Sequence, residues 1–521
     1  MIFQRNNKSV ALPGIATGIL LFLTINVAMG VDMPLRAFHL DPYIQDVNAW
    51  IDPAAPDYHR LIWPIAYQQA KTEELKQQLL NPWQWDYVQG FLRAEEGPQR
   101  RNDWSIRTYL IAGDGTYRDA WGANYRKHSR AWKDQLAGNV NLTQFSTASF
   151  AMSRRAIAVD NLPGRALPTR DPHYHDFSLP GEGYPFDNLQ MTSIWAGTPL
   201  YIAGESLDGV WYYVLSSSVA AWVPASGVAH ASEDFVVRWT RATNEGLTAV
   251  TRSDTAINDA RQLLLHGYLG AVFPSVRRSD RDVNRVLVPQ KNADGLAVAM
   301  DASIASNRSA SVPIAATPAN FAELLSGQLG RVYAWGGKNF YNDCSLELKN
   351  LYAAFGIWLE RNTYYQSLQG TPTDLSALWH EDSNRVQRRI DYVKANAEPF
   401  KTLIYIPGHI MLYTGLEHVD GLQEAGIYNT IWGLAPPNRE ERVIIGQASF
   451  LPLLGSYPGQ EELESLADKS GFVLVAFGEE LIETNITAEG GSALQSNRHL
   501  FRDKRWYQRP TSSHPLPPPR P

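Results

Sequence analysis

The 521-residue chain has a single cysteine, Cys344. One thiol cannot close an internal disulfide, so it is inert, intermolecular or reactive. An excess of positive charge is also missing: 47 Lys and Arg stand against 53 Asp and Glu, a formal net charge of −6. That excludes the basic stripe of a nucleic-acid binder. The histidines and acids show no ligand spacing, so the sequence implies no metal and no cofactor. Beyond the N-terminus no segment is apolar enough to span a bilayer.

What is present begins with an export pattern. Residues 1–10 carry Arg5 and Lys8 and no acid, and an apolar run over 15–28 ends in Ala28-Met29-Gly30. A basic flank, an apolar core and small residues at alternate positions predict a signal peptide over 1–30, with a retained anchor as the alternative reading. A span needs about 20 apolar residues, and this run is shorter. With no cysteine near the cleavage site, a lipid-anchored form is excluded. The expectation is a periplasmic or secreted protein without stable membrane insertion after cleavage.

The texture then changes several times. Residues 31–150 are rich in Trp and polar residues, with helices expected over 67–80 and 126–136 and an irregular insertion over 84–124. Short apolar runs separated by turns follow, the signature of small β-barrels or sandwiches. Strands are expected at 201–203, 210–215 and 221–224, with Ser206-Leu-Asp-Gly209 as a hairpin turn. A second β-rich stretch runs from about 234 to 300, with strands at 246–251, 271–273 and 295–300 and no repeat of the first. The 16 Trp and 24 Tyr suit either barrel cores or a surface contacting glycan or peptide. The polar 303–316 reads as a linker, and 486–521 ends as an extended Pro-rich tail.

Around Cys344 the pattern becomes chemical. A helix is expected over 321–329 with Gly330 as its stop, followed by Tyr333-Ala-Trp-Gly-Gly337 and Asn342-Asp-Cys-Ser345. Leu348, Leu351, Tyr352 and Phe355 then repeat at helical spacing up to Gly356. Cys344 therefore sits in the first turn of a helix capped by Asn342 or Asp343. Free N–H groups and the positive dipole end favour thiolate there and can stabilise an oxyanion. The cysteine could equally head the apolar stripe as an inert thiol, and position alone leaves both readings open. A thiolate nucleophile needs a base, normally His, and a group that orients it. Residues 401–415 read as strand, turn, strand with His409 opening the second strand, and Asn429 lies on a following strand with Ile427 and Ile431. Lone histidines in strands are usually structural, so spacing alone does not decide.

The stretches Tyr-Ala-Trp-Gly-Gly, Asp-Cys-Ser, Leu-Tyr-Ala-Ala-Phe-Gly-Ile, Arg361-Asn-Thr-Tyr-Tyr-Gln366 and Pro-Gly-His-Ile-Met-Leu-Tyr-Thr-Gly resemble the NlpC-type cysteine peptidases of bacterial cell walls. Leu179-Pro-Gly-Glu-Gly-Tyr-Pro-Phe-Asp-Asn-Leu-Gln190 is similar to the first SH3-like domain of a multidomain branch of that family. Over residues 40–480 the resemblance implies an α+β chain: a mainly helical or irregular N-terminal stabilising domain (31–150), two SH3-like β-barrels (151–232 and 233–302) and a papain-like catalytic domain (303–485). It implies Cys344 as nucleophile, His409 as base and Asn429 as the third polar residue, with His418 a competitor in a charged hairpin. Tyr333 would face the oxyanion and Trp335 the substrate. Asp343 and Ser345, with Glu182 or Asp187, would hold the ammonium of an N-terminal L-Ala. Leu346 departs from the Gly or Ala common after Asp-Cys-Ser.

The implied activity is cleavage of the γ-D-Glu–diamino acid bond in peptidoglycan stem peptides. Buried carboxylates around an ammonium would reject stems still amide-linked to glycan. The rivals are a wall-binding protein with an idle peptidase domain, and an amidase or acyltransferase on the same fold.

Overall fold

Ile410, Met411, Leu412 and Tyr413 follow one another along a strand, and none is more than 2% exposed. A strand apolar on both faces must lie inside a sheet covered on both sides. In the computed structural model, which describes residues 35–176, 183–276, 281–376, 382–419, 421–438 and 441–478, that is where it lies. Strands Thr402–Ile406, His409–Val419, Leu422–Leu434 and Arg442–Pro452 form an antiparallel meander in chain order. Val473–Ala476 and Thr371–Asp374 extend it on one side, and the short Leu35–Ala37 adds a parallel edge on the other. Ile406 pairs with His409 across the Pro407-Gly408 turn, so the register of the histidine is fixed by a two-residue hairpin loop. Helix Cys344–Ala354 packs on this meander through Leu348, Leu351 and Tyr352.

Two barrels precede it. The first is a seven-stranded sheet over 155–230, and strands Pro199–Glu205, Trp211–Leu215 and Ala220–Pro224 fall where the apolar runs predict them. The second is built from a four-stranded and a three-stranded sheet. The strand expected at 295–300 is Ala297–Ala305, and its end together with the last strand, Ser309–Val312, occupies part of the segment expected to be a linker. Small residues there hide an alternation in which Ala302 and Ile304 point into the core. The second β-rich stretch also opens on a helix, Glu233–Glu245, rather than a strand. Ser232 caps it, acids fill its first turn, and Phe235, Val236, Trp239 and Thr243 form its buried stripe.

The N-terminal region has no core of its own. Phe38, Trp50, Trp63 and Tyr67 pack into the core of the catalytic sheet, whereas Tyr87, Val88, Phe91, Leu110 and Leu136 pack on Tyr201, Tyr213 and Trp222 of the first barrel. The presumed irregular insertion over 84–124 contains two helices, Trp85–Arg93 and Pro98–Tyr109. The first shows the buried stripe Tyr87, Val88, Phe91, and the second starts with proline in its first turn, where the missing N–H costs nothing. The helix expected at 126–136 is Arg130–Asn139, because residue 127 is held in a bridge to Trp121. The expected signal segment, the Pro-rich tail and Glu182 lie outside the described residues.

Candidate active site

Asp343 resolves the choice of cap. Its Oδ1 accepts the Leu346 amide at 2.9 Å and the Ser345 hydroxyl at 3.2 Å. Cys344 is thereby the first residue of the helix, 8% exposed, with its sulfur accepting the backbone amide of Ile410. Ile410 is the neighbour of His409, so the Cys344 helix and the histidine strand meet at the thiol. His409 is itself 8% exposed, and Asn429, on the adjacent strand, favours its protonated form. Among the described residues His409 Nε2 and Asn429 Oδ1 are both buried without a hydrogen bond of full geometry. Asn429 Nδ2 reaches the Ser449 carbonyl at a long 3.4 Å. The structure therefore sets Cys344 against Ile410, the neighbour of His409, and Asn429 beside His409; His418 is exposed in the hairpin, opposite Gln423.

The electrostatics reverse one expectation. A helix N-terminus was expected to lower the thiol pKa, but burial pushes Cys344 up to about 12, and the Asp343 carboxylate adds to the effect. The Ile410 amide, Arg361 and the Ser345 amide oppose it without prevailing. Burial holds His409 down to about 4, opposed by Asn429 and Asp343. Desolvation disfavours both charged forms, so the resting pair is a neutral thiol and a neutral imidazole.

Tyr333 lies close enough for the sulfur to raise its hydroxyl pKa, after burial, the larger cause. It belongs to an aromatic wall. Phe186, from the first barrel, meets Trp335 at 5.5 Å and Trp432 at 5.6 Å, both edge-on, and Tyr333 at 6.5 Å. Trp335 is 38% exposed, placing an open indole at the rim. Phe186 and Trp432 carried no role in the sequence reading. The segment containing Phe186 was conspicuous, but nothing local tells that its ring crosses between domains.

Two of the carboxylates expected to hold an ammonium, Asp343 and Asp187, already face cations, and the third, Glu182, lies outside the described residues. Asp343 is paired with Arg361, whose Nη2 lies 2.7 Å from Oδ2 and whose Nη1 lies 3.2 Å from Oδ1. All five N–H donors of that guanidinium are used, the others by Ser345 Oγ, Thr192 Oγ1 and the Met191 carbonyl. Ser345 thus bridges Arg361 and Asp343. Asp187 is 1% exposed and accepts Arg165 at 2.8 Å and the amides of His173 and Leu189, with Lys338 at 3.6 Å. Burial works to raise its pKa, but Arg165 and Lys338 hold it below the usual carboxylate value. Two cations face Asp187 and one faces Asp343, so each aspartate already has a counter-charge. Arg361, 18 residues downstream of its partner, is the residue the sequence reading passed over.

Among the described residues no group of three His, Cys, Asp or Glu could hold a metal ion, and no helix is long and apolar enough to cross a membrane. Residues 172–224 match the SH3 domain family of the SH3b1 type. The structure is similar to that of an NlpC/P60 endopeptidase from Photobacterium damselae subsp. piscicida, at 26% identity and a TM-score of 0.71, over 83% of this chain and 97% of that one. An NlpC/P60 family protein from Bacillus cereus ATCC 10987 aligns at 16% identity and a TM-score of 0.38, over 61% of this chain and 98% of that one. No curated protein matches the chain in sequence.

Proposed function

We infer the function from one premise: the chain is an NlpC/P60-type protein carrying an SH3b domain. It is a cysteine peptidase acting on peptidoglycan. The observation that carries this reading is the meeting of Cys344, at a helix N-terminus, with the His409–Ile410 strand and Asn429.

Because thiol and imidazole are both neutral at rest, His409 acts as general base at the moment of attack. It takes the thiol proton as Sγ adds to the carbonyl carbon, and Asn429 orients the ring and favours the imidazolium. The developing oxyanion is stabilised by helix N–H groups and the Tyr333 hydroxyl. His409 then protonates the leaving amine, a thioester remains on Cys344, and water hydrolyses it with His409 again as base. The bond we assign is γ-D-Glu–diamino acid, and the compartment is the periplasm or the exterior.

On the free amine the proposal departs from the sequence expectation. Selection for a free L-Ala amine is strongest with an unpaired carboxylate; Asp343 and Asp187 are both paired, and Glu182 lies outside the described residues. With those two aspartates engaged, we propose that the amine contributes little and that stems still linked to glycan remain substrates.

Incubation of muropeptides and of L-Ala-γ-D-Glu-diaminopimelate, free or N-acetylated, tests both statements. Mass spectrometry is expected to show a new diamino-acid N-terminus in each case, with rates within about threefold of each other. Cleavage that persists in Cys344→Ala, or release of intact stem peptide from glycan, would overturn the peptidase reading. Strict loss of activity on acetylation would restore the ammonium pocket.

A further inference from the structure

One turn beyond Cys344 the same helix buries a second acid. Glu347 is 2% exposed and, among the described residues, makes no ion pair; its two oxygens accept neutral donors, and Arg331 acts on it only from a distance. Oε1 takes the Tyr428 hydroxyl at 2.9 Å, and Oε2 takes the Asn342 side-chain amide. Burial pushes its carboxyl up to about 7, against the pull of those two donors. An acid placed this way costs stability, and the proposed reaction does not use it.

Its partners lie on the elements that carry the site. Tyr428 immediately precedes Asn429. Asn342 immediately precedes the capping Asp343, and its carbonyl accepts the Ala334 amide at 2.9 Å, holding the Tyr333 segment alongside. The chain of bonds continues outward: Asn342 Oδ1 accepts Asn350 Nδ2 at 3.2 Å, and Asn350 Oδ1 accepts the Trp195 indole at 3.1 Å. Trp195 belongs to the first barrel and stacks on Tyr268 of the second, 5.0 Å away at 17°. Asn350 is boxed in from the second barrel as well. A Cβ on Gly270, whose φ is +76°, would lie 2.3 Å from its carbonyl oxygen.

The direction of this relay is fixed by chemistry. An indole only donates, so Asn350 must present its oxygen to Trp195 and its amide to Asn342. Asn342 in turn must present its amide to residue 347, which has to accept. We propose that Glu347 is a positioning residue: it terminates a hydrogen-bond relay from Trp195 of the SH3-like barrel and holds the nucleophile turn in register with the Asn429 strand. The barrel thus takes part in assembling the catalytic site as well as any binding. This inference rests on the peptidase reading only for its kinetic readout.

The relay requires an acceptor at 347, not a charge. A glutamine can keep it, with Oε1 toward Asn342 and Nε2 toward the Tyr428 hydroxyl, which can accept; a leucine cannot. Full-length Glu347→Gln, Glu347→Leu and Trp195→Phe are compared with the parent on a stem peptide, together with exchange protection of the Trp195 indole proton by NMR of Trp-labelled protein. Glu347→Leu is expected to lower kcat about 100-fold with KM little changed, since ångström displacements of reacting groups cost that much. Glu347→Gln should stay within about tenfold of the parent, and Trp195→Phe should fall at least about tenfold. The indole proton should lose protection in Glu347→Leu and keep it in Glu347→Gln. Parental kcat in Glu347→Leu, or a glutamine as damaging as leucine, would overturn the proposal. If the leucine variant does not fold, an unaffected Trp195→Phe overturns it equally. A parent that cleaves nothing would defeat the peptidase reading instead, and the indole protection would still decide the relay.

Discussion

The first barrel touches the rest of the chain through buried polar bonds, whereas the polar contacts of the second are partly exposed ion pairs, set beside apolar packing of Leu247, Ala249 and Leu269. From the first, Thr192 and the Met191 carbonyl hold Arg361, Gln190 donates to the Gly336 carbonyl at 3.1 Å, and Trp195 donates to Asn350. The approach is so close that a Cβ on Gly336, whose φ is +62°, would stand 2.3 Å from the Gln190 carbonyl oxygen. From the second, Arg252 pairs with Glu323 and Asp254 with Arg331 at 2.9 Å, all at side chains between 23% and 66% exposed. Buried polar groups are costly to orphan, whereas exposed pairs are screened by water and salt. The polar bonds of the first barrel are therefore a structural part of the candidate active site, whereas the ion pairs of the second lie away from it.

Substitutions should separate the two contacts. Arg361→Ala leaves Asp343 buried and unpaired beside the nucleophile. Its expected cost is about 3–5 kcal/mol in thermal or denaturant unfolding, with turnover lost. A stable, active Arg361→Ala would break the contrast at its centre. Thr192→Val removes the acceptor for Arg361 Nε and the hydroxyl's own bond to the Ser193 carbonyl, and should cost about 1–2 kcal/mol and part of the turnover. Arg252→Ala, in the second barrel, should cost under about 1 kcal/mol and leave turnover unchanged, because its partner is largely solvated.

The buried side of the contrast also sets the thiol. With Cys344 near 12 and His409 near 4, almost no thiolate exists in the free protein at pH 7. Iodoacetamide labelling of this sole cysteine should therefore rise about tenfold per pH unit from 7 to 9 without a plateau. A plateau reached below pH 7 would mean a resting thiolate–imidazolium pair.

The helix after Cys344 was legible because Leu348, Leu351, Tyr352 and Phe355 repeat at its period, and the His409 strand because Pro407-Gly408 separates two apolar runs. The family resemblance supplied the grouping of Cys344, His409 and Asn429, which spacing alone left open. Other features depend on contacts distant in sequence. Arg361 meets Asp343 and Thr192, and Asp187 meets Arg165 and Lys338, pairings no local pattern encodes. The thiol pKa was misjudged for the same reason. The dipole of the first turn is local and visible, whereas the depth of burial is set by strands folded from elsewhere. The strand Ser309–Val312 was taken for linker because its small polar residues carry no apolar alternation strong enough to read.

Covalent capture tests the central claim most directly. The protein is quenched in acid during turnover of a stem tetrapeptide, and its intact mass is measured, followed by mapping of the modified peptide. The account predicts a thioester on Cys344 whose added mass is that of L-Ala-γ-D-Glu, less water. No adduct under steady turnover, or an adduct that includes the diamino acid, would contradict it.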